Sequence, residues 1–192
     1  MDLVLFGIQG SGKGTQAKRL AAEFDYEIFE AGQALRDIAA GNTPLGKEVA
    51  AIIDKGNLVP FNVIINVVES IVHATPAHQK ILFDGIPRDL DQMAEFNRIM
   101  KSCGREFQCV QLSIPKETAI ERLQKRAQEQ GRLDDMHIEY IERRIGIFME
   151  KTMRVVKSYE ADGNMTVLNG LGSPDEVYGR LTGVLKTATL AA

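Results

Sequence analysis

Phe6-Gly7-Ile8-Gln9-Gly10-Ser11-Gly12-Lys13-Gly14-Thr15-Gln16 follows the apolar run Leu3-Val4-Leu5-Phe6 and leads into a helical pattern, a strand, glycine-rich loop and helix in succession. Glycines at 7, 10, 12 and 14 permit positive φ and close backbone approach, so several N–H groups can converge on one anion. Lys13 adds a mobile point charge suited to outer phosphates. A tight turn alone would need fewer glycines, and four of them with a lysine at the helix start predict a phosphate cradle from Gly10, Ser11, Gly12, Lys13, Gly14 and Thr15. One letter departs from the general P-loop pattern. The hydroxyl residue expected directly after the lysine is Gly14, and the hydroxyl is displaced to Thr15.

Outward from this loop, five short apolar runs bounded by breakers read as strands: Leu3 to Phe6, Glu27 to Phe29, Lys80 to Phe83, Cys109 to Ile114 and Thr166 to Leu168. Most are too uniformly apolar to be half-exposed, and helical patterns lie between them, so the class is α/β: a parallel sheet with helices on both faces and ligands at the carboxyl ends of the strands. Residues 31–59 carry helical signals broken at Gly41 to Pro44 and Gly56 to Pro60, which predicts a small helical flap. A helix from about Lys116 to Glu129 turns at Gln130-Gly131 into a second long helix. There Ile138, Ile141, Ile145, Phe148, Thr152, Val155 and Tyr159 recur at three- and four-residue spacing as a buried stripe. Only 187–192 reads as a frayed tail.

With 192 residues the chain holds one full α/β domain, and its net charge of −3 offers no general attraction for nucleic acid or an anionic membrane. Polyanion binding must be local. Arg122, Arg126, Arg132, Arg143, Arg144 and Arg154 place half of the twelve arginines in one short region, a bias that solubility does not require. Two cysteines, Cys103 and Cys109, provide neither a disulfide framework nor the spacing of a structural zinc site, and no apolar run approaches the roughly 20 residues of a membrane span. A cytoplasmic, soluble protein is the resulting expectation. His73, His78 and His137 lack partners at metal or triad spacing and read as surface residues.

The run Ile81-Leu82-Phe83 delivers Asp84 to the sheet edge that holds the glycine-rich loop, where it could bind Mg²⁺ directly or through water, or cap the turn before Gly85. Gly85-Ile86-Pro87-Arg88 is a rigid turn that aims a guanidinium from the same edge. The order of GIQGSGKGTQ, AGQALR, FDGIPRDLDQ, KR and GRLDD, spread over nearly the whole chain, resembles the adenylate kinase family, whose loop has the form G-x-x-G-x-G-K-G-T and so accounts for Gly14.

That resemblance implies a P-loop NTPase-type three-layer αβα sandwich, five parallel strands in the order 2-3-1-4-5, with 31–59 as the insertion that binds the nucleoside monophosphate and 127–133 as a very short lid without zinc. It implies reversible transfer of the γ-phosphoryl group of Mg-ATP to a nucleoside monophosphate by a monomer whose small-molecule partners are ATP, AMP and ADP. Lys13, Arg88, Arg126, Arg132 and Arg143 become the catalytic set, Arg122, Arg126 and Gly172 join the loop at ATP, and Ala31, Arg36, Val59, Gly85, Arg88, Gln92, Arg132 and Arg143 line the AMP side. Asp134 and Asp135 take structural and arginine-orienting roles, with helix capping as the local alternative. The chemistry agrees with such a set, because the transition state spreads negative charge over non-bridging oxygens and forked arginines stabilise it. A general base is dispensable when the acceptor phosphate, with a second pKa of about 6, is already largely a dianion.

Acceptor choice divides the signals. Gln92, four residues after Arg88, suits adenine, while UMP/CMP kinases tend to carry asparagine there. Ala31-Gly32-Gln33 replaces the family's S/T-G-D, and Ala31 resembles the UMP/CMP kinases. A two-point amide pairing outweighs one lost hydroxyl, worth about 1 kcal/mol, so AMP is expected first, with reduced discrimination. The donor adenine is expected between Arg122 and the turn 169–172, read by backbone carbonyls. A UMP/CMP kinase is the nearest alternative, and a nucleotide-binding regulator without turnover a more distant one. A GTPase lacks its N-K-x-D string here.

Overall fold

Leu3 and Leu5 point to one side of β1 (Asp2–Phe6) and Val4 and Phe6 to the other, and all four are buried. This strand therefore needs apolar cover on both faces, which only a central position in a two-sided sheet provides. The computed structural model describes residues 1–130 and 135–190, except the side chains of 130 and 187–190. Its sheet has the order β2-β3-β1-β4-β5, all parallel, with β2 at Tyr26–Glu30, β3 at Lys80–Asp84, β4 at Phe107–Ser113 and β5 at Met165–Asn169. The expected topology and all five expected strands are present, each shifted at its ends by one or two residues.

Helix α1 (Lys13–Phe24) and α9 (Pro174–Leu190) cover one face, where Leu3, Leu5, Leu82, Val110 and Leu112 meet Ala17, Leu20, Val177 and Leu181. On the opposite face Val4, Phe6, Ile81, Phe83 and Cys109 pack against α4 (Phe61–Ala74), α5 (Leu90–Ser102) and α8 (Met153–Ala161). Backbone continuity through α9 to Leu190 corrects the expected tail at 187–192: residues 187–190 are helical. The expected flap is α2 (Ala31–Ala40) and α3 (Pro44–Ile53), the latter started by Thr43, whose hydroxyl accepts the Gly46 N–H at 3.0 Å with Pro44 behind it.

Beyond the sheet, α6 (Lys116–Gln130) packs on α7 (Ile138–Ile147), and Ala119, Leu123, Ile141, Ile145 and Phe148 form a smaller core with Ile8 of the glycine-rich loop. The expected stripe is buried from Ile141 to Tyr159, but Ile138, in the first turn of α7, is 42% exposed. Its helix is also not uniform. Phe148–Thr152 forms a π turn between α7 and α8, a wider winding that three- and four-residue spacing does not announce.

Candidate active site

Gly12 caps α1 with φ 96° and no side-chain hydrogen bond, so the first backbone N–H groups of the helix stay open toward the loop. Gly10 has φ 83°, and a Cβ on it would lie 2.8 Å from the Ala119 carbonyl oxygen; no other residue fits both demands. Gly14 is different. It has no positive φ, and a Cβ there would lie 3.9 Å from Asp84 Oδ2, in ordinary contact, so this glycine leaves room beside a carboxylate. The buried Gln9 Oε1, Ser11 Oγ and Gln16 Oε1 have no hydrogen-bond partner among the described residues, a concentration of unmet polar groups that marks the loop as built for a ligand.

A cleft of about 1270 Å³ opens at the carboxyl ends of the strands and is lined by this loop, α2, the ends of β3 and β5, and α6 to the π turn. Lys13 Nζ donates to the Gly7 carbonyl at 2.8 Å and stands 3.9 Å from Asp84 Oδ1. Burial pulls the Lys13 pKa down, Asp84 opposes that, and Arg88 and Arg126 reinforce it. Arg88 experiences the same order of effects: burial lowers, Asp84 raises, Arg144 and Arg36 lower. Cations that disfavour one another's charge in a partly desolvated cleft form a receptor for a polyanion.

Arg88 is held at three points. Its Nε donates to the Gly85 carbonyl at 2.7 Å, its backbone N–H to Gln92 Oε1 at 2.9 Å, and its carbonyl accepts from Thr152 Oγ1 at 2.8 Å. Asp89 starts α5 by accepting the Gln92 N–H, which fixes the buried Gln92 beside Arg88. Across the cleft, Arg36 donates to Gln33 Oε1 at 2.8 and 3.3 Å, while Gln33 Nε2 donates to Asp37. The amide that replaces the expected acid thus orients this arginine. Ala31, Val59 and Gly85 line the same end.

At the other end Arg122 donates to the Gly10 carbonyl at 3.4 Å, and Gly172, with φ 110°, lines the cleft. The turn 169–172, expected to offer carbonyls to a base, already uses two of them, since Arg180 donates to those of Asn169 and Leu171; just beyond it, Gln16 Nε2 donates to the Pro174 carbonyl at the start of α9 at 3.0 Å.

Arg126 and Arg144 converge on Asp135, Arg126 Nε at 2.6 Å and Arg144 Nη2 in a short bond to the second oxygen. Burial pushes the Asp135 carboxyl up, but the two arginine hydrogen bonds outweigh it and hold the group below its ordinary value. Asp135 does not cap α7, whose N-cap is His137. Asp135 also gives Arg126 a counter-charge on the helix face it shares with Arg122, four residues earlier.

Arg143, placed in the catalytic set from sequence, lies outside the cleft: it is exposed, donates to the Lys55 carbonyl at 3.0 Å and stands over the Tyr140 ring. Arg144 lines the cleft instead. The signal was present in the pattern, since Arg144 stands three after Ile141 and four before Phe148, in register with the buried stripe, whereas Arg143 is about 100° further round the helix. Gln16, Thr152 and Arg180 were also missed as site neighbours, and no local pattern singles them out. Arg132 and Asp134 lie outside the described residues, as do positions 131 and 133 of the stretch 127–133 expected to form the lid, whose first residues continue α6.

Asp84 supplies one hard oxygen ligand beside the room left by Gly14, which fits Mg²⁺, a cation that keeps several waters and takes few carboxylates. Among the described residues no group of three or more His, Cys, Asp or Glu is placed to hold a metal ion, and no helix is long and apolar enough to cross a membrane.

A family profile described as Adenylate kinase matches residues 5–164. Among curated proteins, the chain is 38% identical over 184 residues to an adenylate kinase of Thermus thermophilus, covering 95% of this chain and 96% of the relative. It is 35% identical over 187 residues to one from Maricaulis maris, 97% and 99% covered, and 32% identical over 179 residues to one from Phocaeicola vulgatus, 93% and 94% covered. With the glycine-rich loop, the parallel sheet and the arginine-lined cleft falling inside those matches, the chain belongs to the adenylate kinase family and is a nucleoside monophosphate kinase.

Proposed function

We propose that the enzyme transfers the γ-phosphoryl group of Mg-ATP to AMP, giving two ADP, and so balances adenine nucleotides in the cytoplasm as a monomer. The observation that carries AMP as acceptor is Gln92, a buried amide fixed beside Arg88 at the acceptor end of the cleft. The loop amides and Lys13 hold the donor phosphates, and Arg36 and Arg88 hold the acceptor phosphate in line with them. Arg126 and Arg144, set by Asp135, face the transferring group, where fixed guanidinium groups stabilise charge without reorganising during the reaction. Arg132, assigned to the same group, lies outside the described residues, and Arg122 packs on the donor base. Asp84 would hold Mg²⁺ through water, and the ion supplies neutralisation of the β- and γ-oxygens when bound. Arg144 takes over the role assigned to Arg143 from sequence.

Ala31 favours a second reading. Its methyl, 1% exposed and lining the acceptor end, presents no hydroxyl to a purine, as in a UMP/CMP kinase. A coupled assay across AMP, UMP, CMP and GMP decides between them: ADP should form fastest with AMP, and its absence with AMP, or faster formation with CMP or UMP, overturns the proposal.

A further inference from the structure

Thr152 belongs to the buried stripe by spacing and is 4% exposed, yet its hydroxyl does not serve packing. A threonine inside a helix ordinarily bonds back to the carbonyl four residues before it. Here Oγ1 donates to the Arg88 carbonyl, 64 residues away, at 2.8 Å. The π turn makes this reach possible. In an uninterrupted α-helix, at about 100° per residue, Thr152 would point about 80° away from Arg144. One extra residue taken up by the wider turn reduces this to about 20°, so both side chains share the cleft face of one continuous helix.

We propose that Thr152 is a positioning residue for the phosphoryl acceptor: it fixes the Arg88 backbone from the far side, opposite Gln92, and ties that arginine to the helix that carries Arg144. The inference rests on the proposed role of Arg88 at the acceptor phosphate. With its N–H on Gln92 and its carbonyl on Thr152, Arg88 cannot rotate its peptide planes without breaking a hydrogen bond to a buried side chain, so its guanidinium is delivered to one place. Loss of the Thr152 bond frees one side of that mount and leaves the donor end of the cleft untouched.

The test is steady-state kinetics of Thr152→Val, which keeps shape and removes the hydroxyl, beside Thr152→Ser, which restores it, with thermal unfolding of each. Thr152→Val should raise the acceptor KM about 5-fold, the effect of one neutral hydrogen bond, leave the ATP KM unchanged, and be reversed by Thr152→Ser. An unchanged acceptor KM, or acceptor and donor KM rising equally in step with lost thermal stability, overturns the inference. Should Thr152→Val not fold, Thr152→Ala is read by the same criteria. Arg88→Lys in the same assay separates the two levels. If it leaves the acceptor KM unchanged, the role of Arg88 falls and this inference with it; if it raises that KM while Thr152→Val does not, the inference alone falls.

Discussion

Arg144 donates to the buried carboxylate of Asp135, while Arg143, its neighbour in sequence, turns outward to the Lys55 carbonyl. On the proposed function the two adjacent arginines do unequal work. Arg144→Ala should lower turnover by about 100-fold or more, the scale of removing one charged donor from a transition-state site. Arg143→Ala should change kcat/KM and stability by less than about 0.5 kcal/mol, as for an exposed side chain. Steady-state kinetics of the two variants side by side checks the assignment, and equal losses would refute it.

Asp135→Asn leaves two arginines without their buried counter-charge and should destabilise the fold by about 3 kcal/mol at neutral pH, measured by urea unfolding. The sign with pH follows from the depressed carboxyl. Its native form holds its proton less well than the unfolded chain does, so its stabilisation is complete above the unfolded value of about 3.9 and is lost as pH falls through the native value. The gap between the protein and the variant should therefore be flat near neutrality and close in acid. A gap that persists unchanged to about pH 2 would contradict the pairing.

The proposed function gives Gln92 a second duty, reading adenine, beside its bond to the Arg88 N–H, and different substitutions separate the two. Gln92→Glu keeps an acceptor for the Arg88 N–H but has no amide donor for adenine, so kcat/KM with AMP should fall about 10-fold and with CMP far less. Gln92→Leu loses both duties and should impair all acceptors. Equal effects of Glu on AMP and CMP would assign Gln92 to Arg88 alone.

Lys13 must be charged to hold phosphates, and burial has lowered its pKa. Its charge is lost as pH rises through a value below the ordinary lysine figure of about 10.4, so kcat/KM for ATP should fall on an alkaline limb that begins below that figure. Lys13→Met should remove the limb together with about 100-fold or more of the activity. A wild-type profile flat to about pH 10 would show that the phosphate charges do not depend on this lysine.

Much of this molecule was legible in its letters. Leu3 to Phe6 and Ile81 to Phe83 could only be covered strands, Gly10 and Gly12 announced a left-handed loop, and Asp84 and Arg88 followed a strand end directly, so their place at the sheet edge needed no further information. Each of these is a local constraint, set by φ, by apolar periodicity or by chain connectivity over a few residues. The arginine cluster was legible as a cluster but not in its assignments. The resemblance placed Arg143 in the catalytic set, but one residue along a helix rotates a side chain by about 100°, and the stripe through Ile141 and Phe148 was the better guide to which arginine lines the cleft.

By itself the sequence determined an α/β sheet with a phosphate-binding loop, the position of that loop at a strand end, and an excess of arginine around it. Only the tertiary structure decided that Gln33 orients Arg36, that Asp135 pairs Arg126 with Arg144, that Arg180 occupies carbonyls of the turn after β5 and Gln16 that of Pro174, and that a π turn brings Thr152 to Arg88. Backbone preference and hydrophobic period act between neighbours and are written in short stretches of chain. Which polar groups meet depends on how helices are rotated and stacked, and that is settled by packing among segments tens of residues apart.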